Sequence, residues 1–220
     1  MSQPDYSNQT DIFDPRKFTW PVHLIGLGGI GSAVLLPLLK LGIPELHIWD
    51  CDEVEPRNIP AQLIYRISDV GMTKAKATLA FCERQETECL VMPHEEFVTE
   101  RTTLSGVVIS GVDSMTSRSA IWQTVQWNTE VPLYMDGRIG GEQLQLLTLN
   151  PSDPDDIERY EQWLFPDTEA STLPCAARTV IHPPTILAGL MVAQLTLFLR
   201  EERCKPNIQM HLKAMNFISS

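Results

Sequence analysis

The sequence predicts an α/β fold: one domain built on a doubly wound, mostly parallel sheet with an antiparallel extension. Three observations lead there. Val22 to Asn58 reads as one strand, helix, strand unit with its glycines at the first turn. Further short apolar runs follow, separated by helix-patterned stretches, as parallel strands joined by crossovers require. At Gly137-Arg138-Ile139-Gly140-Gly141 the chain turns back, so the strand beyond is expected to run antiparallel to its neighbour.

Taken in order, residues 1–20 are polar and rich in Asp, Gln and Pro, and are expected as an arm in front of a domain at 21–220. Val22 to Ile25 makes the first strand. Ser32 to Leu41 continues as a helix without internal glycine, which Gly42 and Pro44 stop, and Leu46 to Trp49 makes a second strand ending on Asp50. Arg57 to Arg66 is expected as a loop with one helical turn. Asp69 to Thr87 reads as a helix that Asp69 caps, with Ala75, Leu79 and Cys82 at helical spacing. Glu88 to Met92, Val107 to Ser110 and Leu133 to Asp136 are the third, fourth and fifth strands, with a helix at Ser114 to Gln126 for which Asp113 is a candidate cap. Glu142 to Leu149 is the antiparallel strand. Asn150 to Pro174 is acidic and loop-rich, inside a crossover loop at about 151–181; an apolar helix spans His182 to Leu199, and Asn207 to Ile218 returns as one or two strands.

The first turn carries the chemistry. Gly26-Leu27-Gly28-Gly29-Ile30-Gly31 brings backbone close to a ligand because no Cβ intervenes, and the helix that follows points free N–H groups and its positive dipole end at the same place. Asp50 closes the second strand about 20 residues on, where a carboxylate accepts from ribose hydroxyls. A nucleotide site is the reading that uses all three features; a turn that only lets helix and strand pack closely is the alternative. Lys74, in the first turns of a helix, sits where the dipole disfavours a cation, and an anion bound nearby would account for it. Asp113 follows the fourth strand at its carboxyl end, where open α/β sheets place ligands.

These runs, GLGGIGS, then DCDEVEPRNIPAQ, then DVGMTKA, then VVISGVDS with Arg118, together resemble the ThiF/MoeB/HesA family, adenylating relatives of ubiquitin-activating enzymes, over about residues 22–199. The resemblance implies a Rossmann-like fold, a homodimer, ATP and Mg²⁺. It implies adenylation of the C-terminal carboxylate of a ubiquitin-like or sulfur-carrier protein. It assigns nucleotide contacts to Gly26, Gly28, Gly29, Ile30, Gly31, Asp50, Asp52, Arg57, Asn58, Gln62, Lys74, Asp113, Ser114 and Arg118. Asp113 would hold the metal, and Lys74, Asp113 and Cys175 would be catalytic, Cys175 as the thiol that receives the activated carboxyl group. An idle loop thiol is the other reading of Cys175. Arg138 is either a salt-bridge partner for the carrier's tail or a structural arginine.

The sequence departs from the family pattern at two places. Ala61 stands where the family has an arginine, so Arg57 or Arg66 must reach in, or adenylation is organised differently. Tyr160 and Trp163 stand where many relatives have the cysteines of a zinc motif, so no structural zinc is expected and aromatic packing is expected to fill the volume. Other readings of the same fold are adenylation of a small molecule, a peptide or a modified tRNA base, or a non-catalytic binding homologue. NAD binding leaves the roles of Lys74 and Asp113 unexplained.

Composition narrows the classes. A chain of 220 residues with 43% apolar residues suffices for one full core. A formal net charge of −11 argues against a nucleic-acid or anionic-membrane partner. No bilayer-spanning run and no signal-like start are apparent, and the five cysteines lack framework spacing, so a reducing, cytoplasmic setting is expected.

Overall fold

A computed structural model of the chain describes residues 4–166 and 180–220. Its strands are β1 (Val22–Ile25), β2 (Glu45–Trp49), β3 (Leu90–His94), β4 (Val107–Ser110), β5 (Leu133–Gly140), β6 (Gln143–Leu149), β7 (Asn207–His211) and β8 (Asn216–Ser219). They form one sheet in the order β3-β2-β1-β4-β5-β6-β7-β8. Pairing is parallel from β3 across to β5 and antiparallel from β5 to β8. The order reverses between β1 and β4, and such a switch point leaves a crevice outside the carboxyl ends of the two strands.

Helices cover both faces because the strands bury both. Val22 and Leu24 of β1, Leu46 and Ile48 of β2 and Val107 and Ile109 of β4 point to one face, where they pack with α1 (Gly29–Leu41), α2 (Lys74–Glu83) and α5 (His182–Leu199). Ile25, Trp49, Val108 and Tyr134 point to the other, against α3 (Met115–Val125) and α4 (Pro154–Glu161). Over β1, β2 and β3 that second face carries a column of rings. His23 stacks on His47 at 4.3 Å and Trp49 on His94 at 3.7 Å. His47 Nδ1 meets His94 Nε2 at 3.0 Å, and the Trp49 indole N–H donates to His23 Nδ1.

Several elements differ from the sequence expectation, each for a local reason. α1 starts at Gly29, because Ser32 N–H already bonds Gly28 O. Thr73, not Asp69, caps α2 by accepting from Lys76 N–H; Asp69 closes a separate short turn by accepting from Arg66 N–H. β3 lies two residues further on than expected. Ser114, not Asp113, caps α3, accepting from Ser117 N–H. The Gly137–Gly140 stretch continues β5, paired to β6 throughout, and the reversal falls beyond it. The acidic crossover opens with α4, which Asp153 caps and Asp155 and Asp156 stabilise as first-turn anions.

The segment expected as an arm contributes to the core: Phe13 and Phe18 are buried, and Trp20 packs on Phe198 of α5. α5 meets the length and apolar composition of a membrane span, contrary to the expectation that no run does. One side of it, including Leu187, Ala188, Met191 and Leu195, is buried in the protein core. Where the zinc cysteines were missing, Tyr160 is buried with its ring 4.5 Å from Trp122 and its hydroxyl donating to Asp136 Oδ2. Asp136, fully buried, also accepts from Arg118 Nε and Arg138 Nε, and Arg138 Nη1 donates to Trp163 O. Arg138 is therefore engaged structurally.

Burial, and then the neighbouring His47 and His94, push the His23 imidazole down to about 3. A folded-state pKa below the unfolded one means the unfolded chain takes up the proton first as pH falls, so stability is lost from about pH 6.5 down to about 3. Urea unfolding from about pH 7 to about pH 5 should show a loss smaller by about 2 kcal/mol in His23→Gln than in the unsubstituted protein; parallel slopes would refute the assignment.

Candidate functional site

The site is assembled at the switch point from the loop after each strand. Gly26 adopts φ +86° and donates its N–H to Trp49 O, which folds the β1 loop over the end of β2. A Cβ built on Gly31 would stand 1.9 Å from Gly26 O, so only glycine permits α1 to begin this close to β1. The N–H groups of the first helical turn consequently face the crevice without intrahelical partners. Ser32 is buried and locks the arrangement: its hydroxyl donates to Gly29 O and accepts from Leu63 N–H. Tyr65 adds a second tie by donating to Leu27 O at 2.9 Å.

Asp50 joins the loops. One carboxylate oxygen accepts from Leu27 N–H at 2.7 Å and the other from Asp52 N–H at 2.9 Å. Lys74, buried at the start of α2, places its ammonium 2.8 Å from Asp52 Oδ2 and 3.8 Å from Asp50 Oδ2. Burial pushes the Asp50 carboxyl up, while the Lys74 ammonium and the two backbone N–H groups draw it back down. Two short strips clip Lys74 to the acidic loop: Lys74 N–H donates to Asp52 O and Val54 N–H to Met72 O, both at 2.8 Å.

These groups line a cavity of about 660 Å³ that also takes in Gly28, Gly29, Arg57, Asn58, Gln62 and Asp113. Gln62 Oε1 is buried there without a hydrogen-bond partner. The carboxylates of Asp50, Asp52, Glu53, Glu55, Glu96 and Asp113 line it against only two cations, Lys74 and Arg57, among the described residues. Arg57, not Arg66, lines the cavity beside Ala61, and it pairs with Glu55 at 2.6 Å.

Of the residues singled out in the sequence, four lie off the cavity. Ile30 and Gly31 pack closely against Gly111, Ser114 caps α3, and Arg118 turns inward to Asp136 and the carbonyls of Val112 and Gly137. Cys175 lies outside the described residues. Sequence reasoning missed Trp49, Glu96, Phe97 and Val98, which also line the cavity. Ending β3 at Met92 hid the last three: with the strand running to His94, they follow directly on its carboxyl end.

A doubly wound sheet with a glycine turn, an acid-anchored loop and a lysine at one switch-point cavity defines a Rossmann-type nucleotide-binding architecture. A profile described as the ThiF family matches residues 17–219, and the chain belongs to that family. It is 29% identical over 120 residues to the NEDD8-activating enzyme E1 catalytic subunit of Dictyostelium discoideum, covering 53% of this chain and 27% of that one. It is 28% identical over 102 residues to adenylyltransferase and sulfurtransferase MOCS3 of Anopheles gambiae, covering 44% and 23%. The chain thus matches about a quarter of the length of either relative. In fold it is similar to the crystal structure of E. coli MccB with ATP, with a TM-score of 0.73 at 17% identity over 94% of this chain and 65% of that one.

Gly31→Ala should be destabilised by at least about 2 kcal/mol, since the new methyl meets fixed backbone rather than a movable side chain. Urea midpoints check this; a shift below about 0.5 kcal/mol would show that the loop yields freely.

Proposed function

We propose that the protein adenylates a carboxylate with ATP. The observation that carries this reading is one cavity in which a helix N-terminus, Lys74 and Asp113 converge from three loops of the sheet. The glycine-loop amides and Lys74 suit phosphates, and the carboxylate of Asp50, steadied by two backbone N–H groups, suits ribose hydroxyls. Gln62 lines the same cavity, and its unpartnered buried oxygen would gain an acceptor role if the side chain turned toward a nucleotide amine.

The donor set fits Mg²⁺. Six carboxylates against two cations would repel a bare polyphosphate, and the exposure of Asp113 on the cavity wall supports it as the carboxylate that would hold a hard cation. When bound, the ion supplies neutralising charge. In the reaction a carboxylate oxygen attacks the α-phosphorus as the bond to the bridging oxygen breaks, and pyrophosphate leaves. No side-chain base is needed, since the attacking carboxylate is already ionised near neutral pH. Lys74 and the loop amides oppose the charge that builds on the phosphate oxygens.

The names of the two relatives support a ubiquitin-like or sulfur-carrier protein as the source of that carboxylate. Cys175 is then the thiol that accepts the acyl group, displacing AMP.

ATP–pyrophosphate exchange tests the first step, assayed with small proteins ending in Gly-Gly. Asp113→Ala should lower exchange by at least a hundredfold, about 2.7 kcal/mol, with an unchanged unfolding midpoint; full exchange in the folded variant would remove Asp113 from the site. Cys175→Ala should retain exchange and lose the thiol-cleavable adduct with the carrier, read by mass spectrometry. An adduct that survives in Cys175→Ala would refute the transfer role.

A further inference from the structure

The two carboxylates at Lys74 are held in different ways. The Asp50 side chain is only 9% exposed and both its oxygens accept backbone hydrogen bonds, so it is a fixed neighbour of the ammonium. The Asp52 side chain is 65% exposed, and Lys74 is the one partner described for its carboxylate. Its backbone, in contrast, is pinned on both sides, the N–H to Asp50 Oδ1 and the carbonyl to Lys74 N–H. Rotation of the Asp52 side chain therefore frees the ammonium without disturbing the loop.

An exposed carboxylate contributes little to stability on its own. This one faces an ammonium whose side chain is only 10% exposed, at the first position of a helix, where both burial and the dipole disfavour a cation. Lys74 needs an anion, and of its two the nearer, Asp52, is removable.

We infer that Asp52 is a positioning and selectivity residue. Its carboxylate occupies the anion place on Lys74 in the ligand-free protein and rotates out when a phosphoryl group takes that place, while Asp50 keeps the ammonium aimed. The proton stays on Lys74 and no covalent bond changes. A phosphoryl group carrying more than one charge displaces a singly charged carboxylate; an uncharged nucleoside does not. Asp52 thus sets an entry threshold that favours polyphosphates. The inference rests on the nucleotide reading of the cavity.

Two measurements on the full chain test it: calorimetric titration with Mg·ATP and with adenosine, and competitive acetylation of lysines in the ligand-free protein, read by mass spectrometry. Asp52→Asn should raise Lys74 acetylation about fivefold and tighten ATP about three- to tenfold, with adenosine unchanged within about twofold. In a Lys74→Met background, or Lys74→Gln where Met is unstable, the gain for ATP should fall below about twofold. Weaker ATP binding in Asp52→Asn would overturn the proposal, because it would mean direct contact with the ligand. An equal gain with and without Lys74 would overturn it as mere field repulsion. ATP binding with unchanged Lys74 acetylation would overturn it while leaving the nucleotide reading intact, whereas no ATP binding by the unsubstituted protein would overturn both.

Discussion

The carboxylate of Asp50 is the point to which three separate pieces of chain are tied. Through Leu27 N–H it holds the glycine turn, through Asp52 N–H it shapes the acidic loop, and it stands within 3.8 Å of the Lys74 ammonium at the head of α2. Each tie is a charge-assisted hydrogen bond or ion pair to a carboxylate that is itself only 9% exposed, and an unmet charge there is costly. The sheet supplies the rigidity: β1 and β2 are paired in parallel along their length, so the loops leaving them start from fixed positions. The site is thus a property of strand ends, with the polar groups setting its fine geometry.

Charge gives the cavity its character. Carboxylates outnumber cations on its walls, in a chain whose formal net charge is already −11. On the proposed reading, a polyphosphate entering alone would meet repulsion that an accompanying divalent cation, the helix dipole and Lys74 would offset. The same surplus of carboxylates makes the lysine's alignment consequential, since it is the buried cation on those walls.

How much could be read beforehand depended on whether a residue's role was local. Gly26, Gly28, Gly29 and Asp50 line the cavity as one strand, turn, helix and strand unit suggests, Lys74 joins them from the next helix start, and β1, β4 and α5 fell at their expected residues. The caps were misplaced because Asp69, Thr73, Asp113 and Ser114 all have capping chemistry, and only the backbone geometry selects Thr73 and Ser114. Arg118 was unreadable as a buried residue because its partner, Asp136, comes from β5 rather than from its own helix. Trp49 escaped notice because lining a cavity is a tertiary fact with no local pattern. Phe13 and Phe18 were hidden in a polar stretch whose average composition masks two apolar anchors.

The buried cluster around Asp136 holds the beginning of the crossover: Tyr160 and Arg138 bind the carboxylate, and Arg138 also binds Trp163 O. Oxygen and nitrogen atoms do there what thiolates and a metal do in a zinc-stapled loop. Such an anchor has no exchangeable part. Its described contacts are hydrogen bonds and ion pairs between the chain's own side chains and backbone. Its weakness is of another kind: with Asp136 wholly enclosed, loss of that one carboxylate would leave the Arg118 and Arg138 guanidiniums without their shared anion in a medium that solvates them poorly. The beginning of the crossover is thus tied to β5 through one enclosed carboxylate, and Asp136 is the residue on which that tie turns.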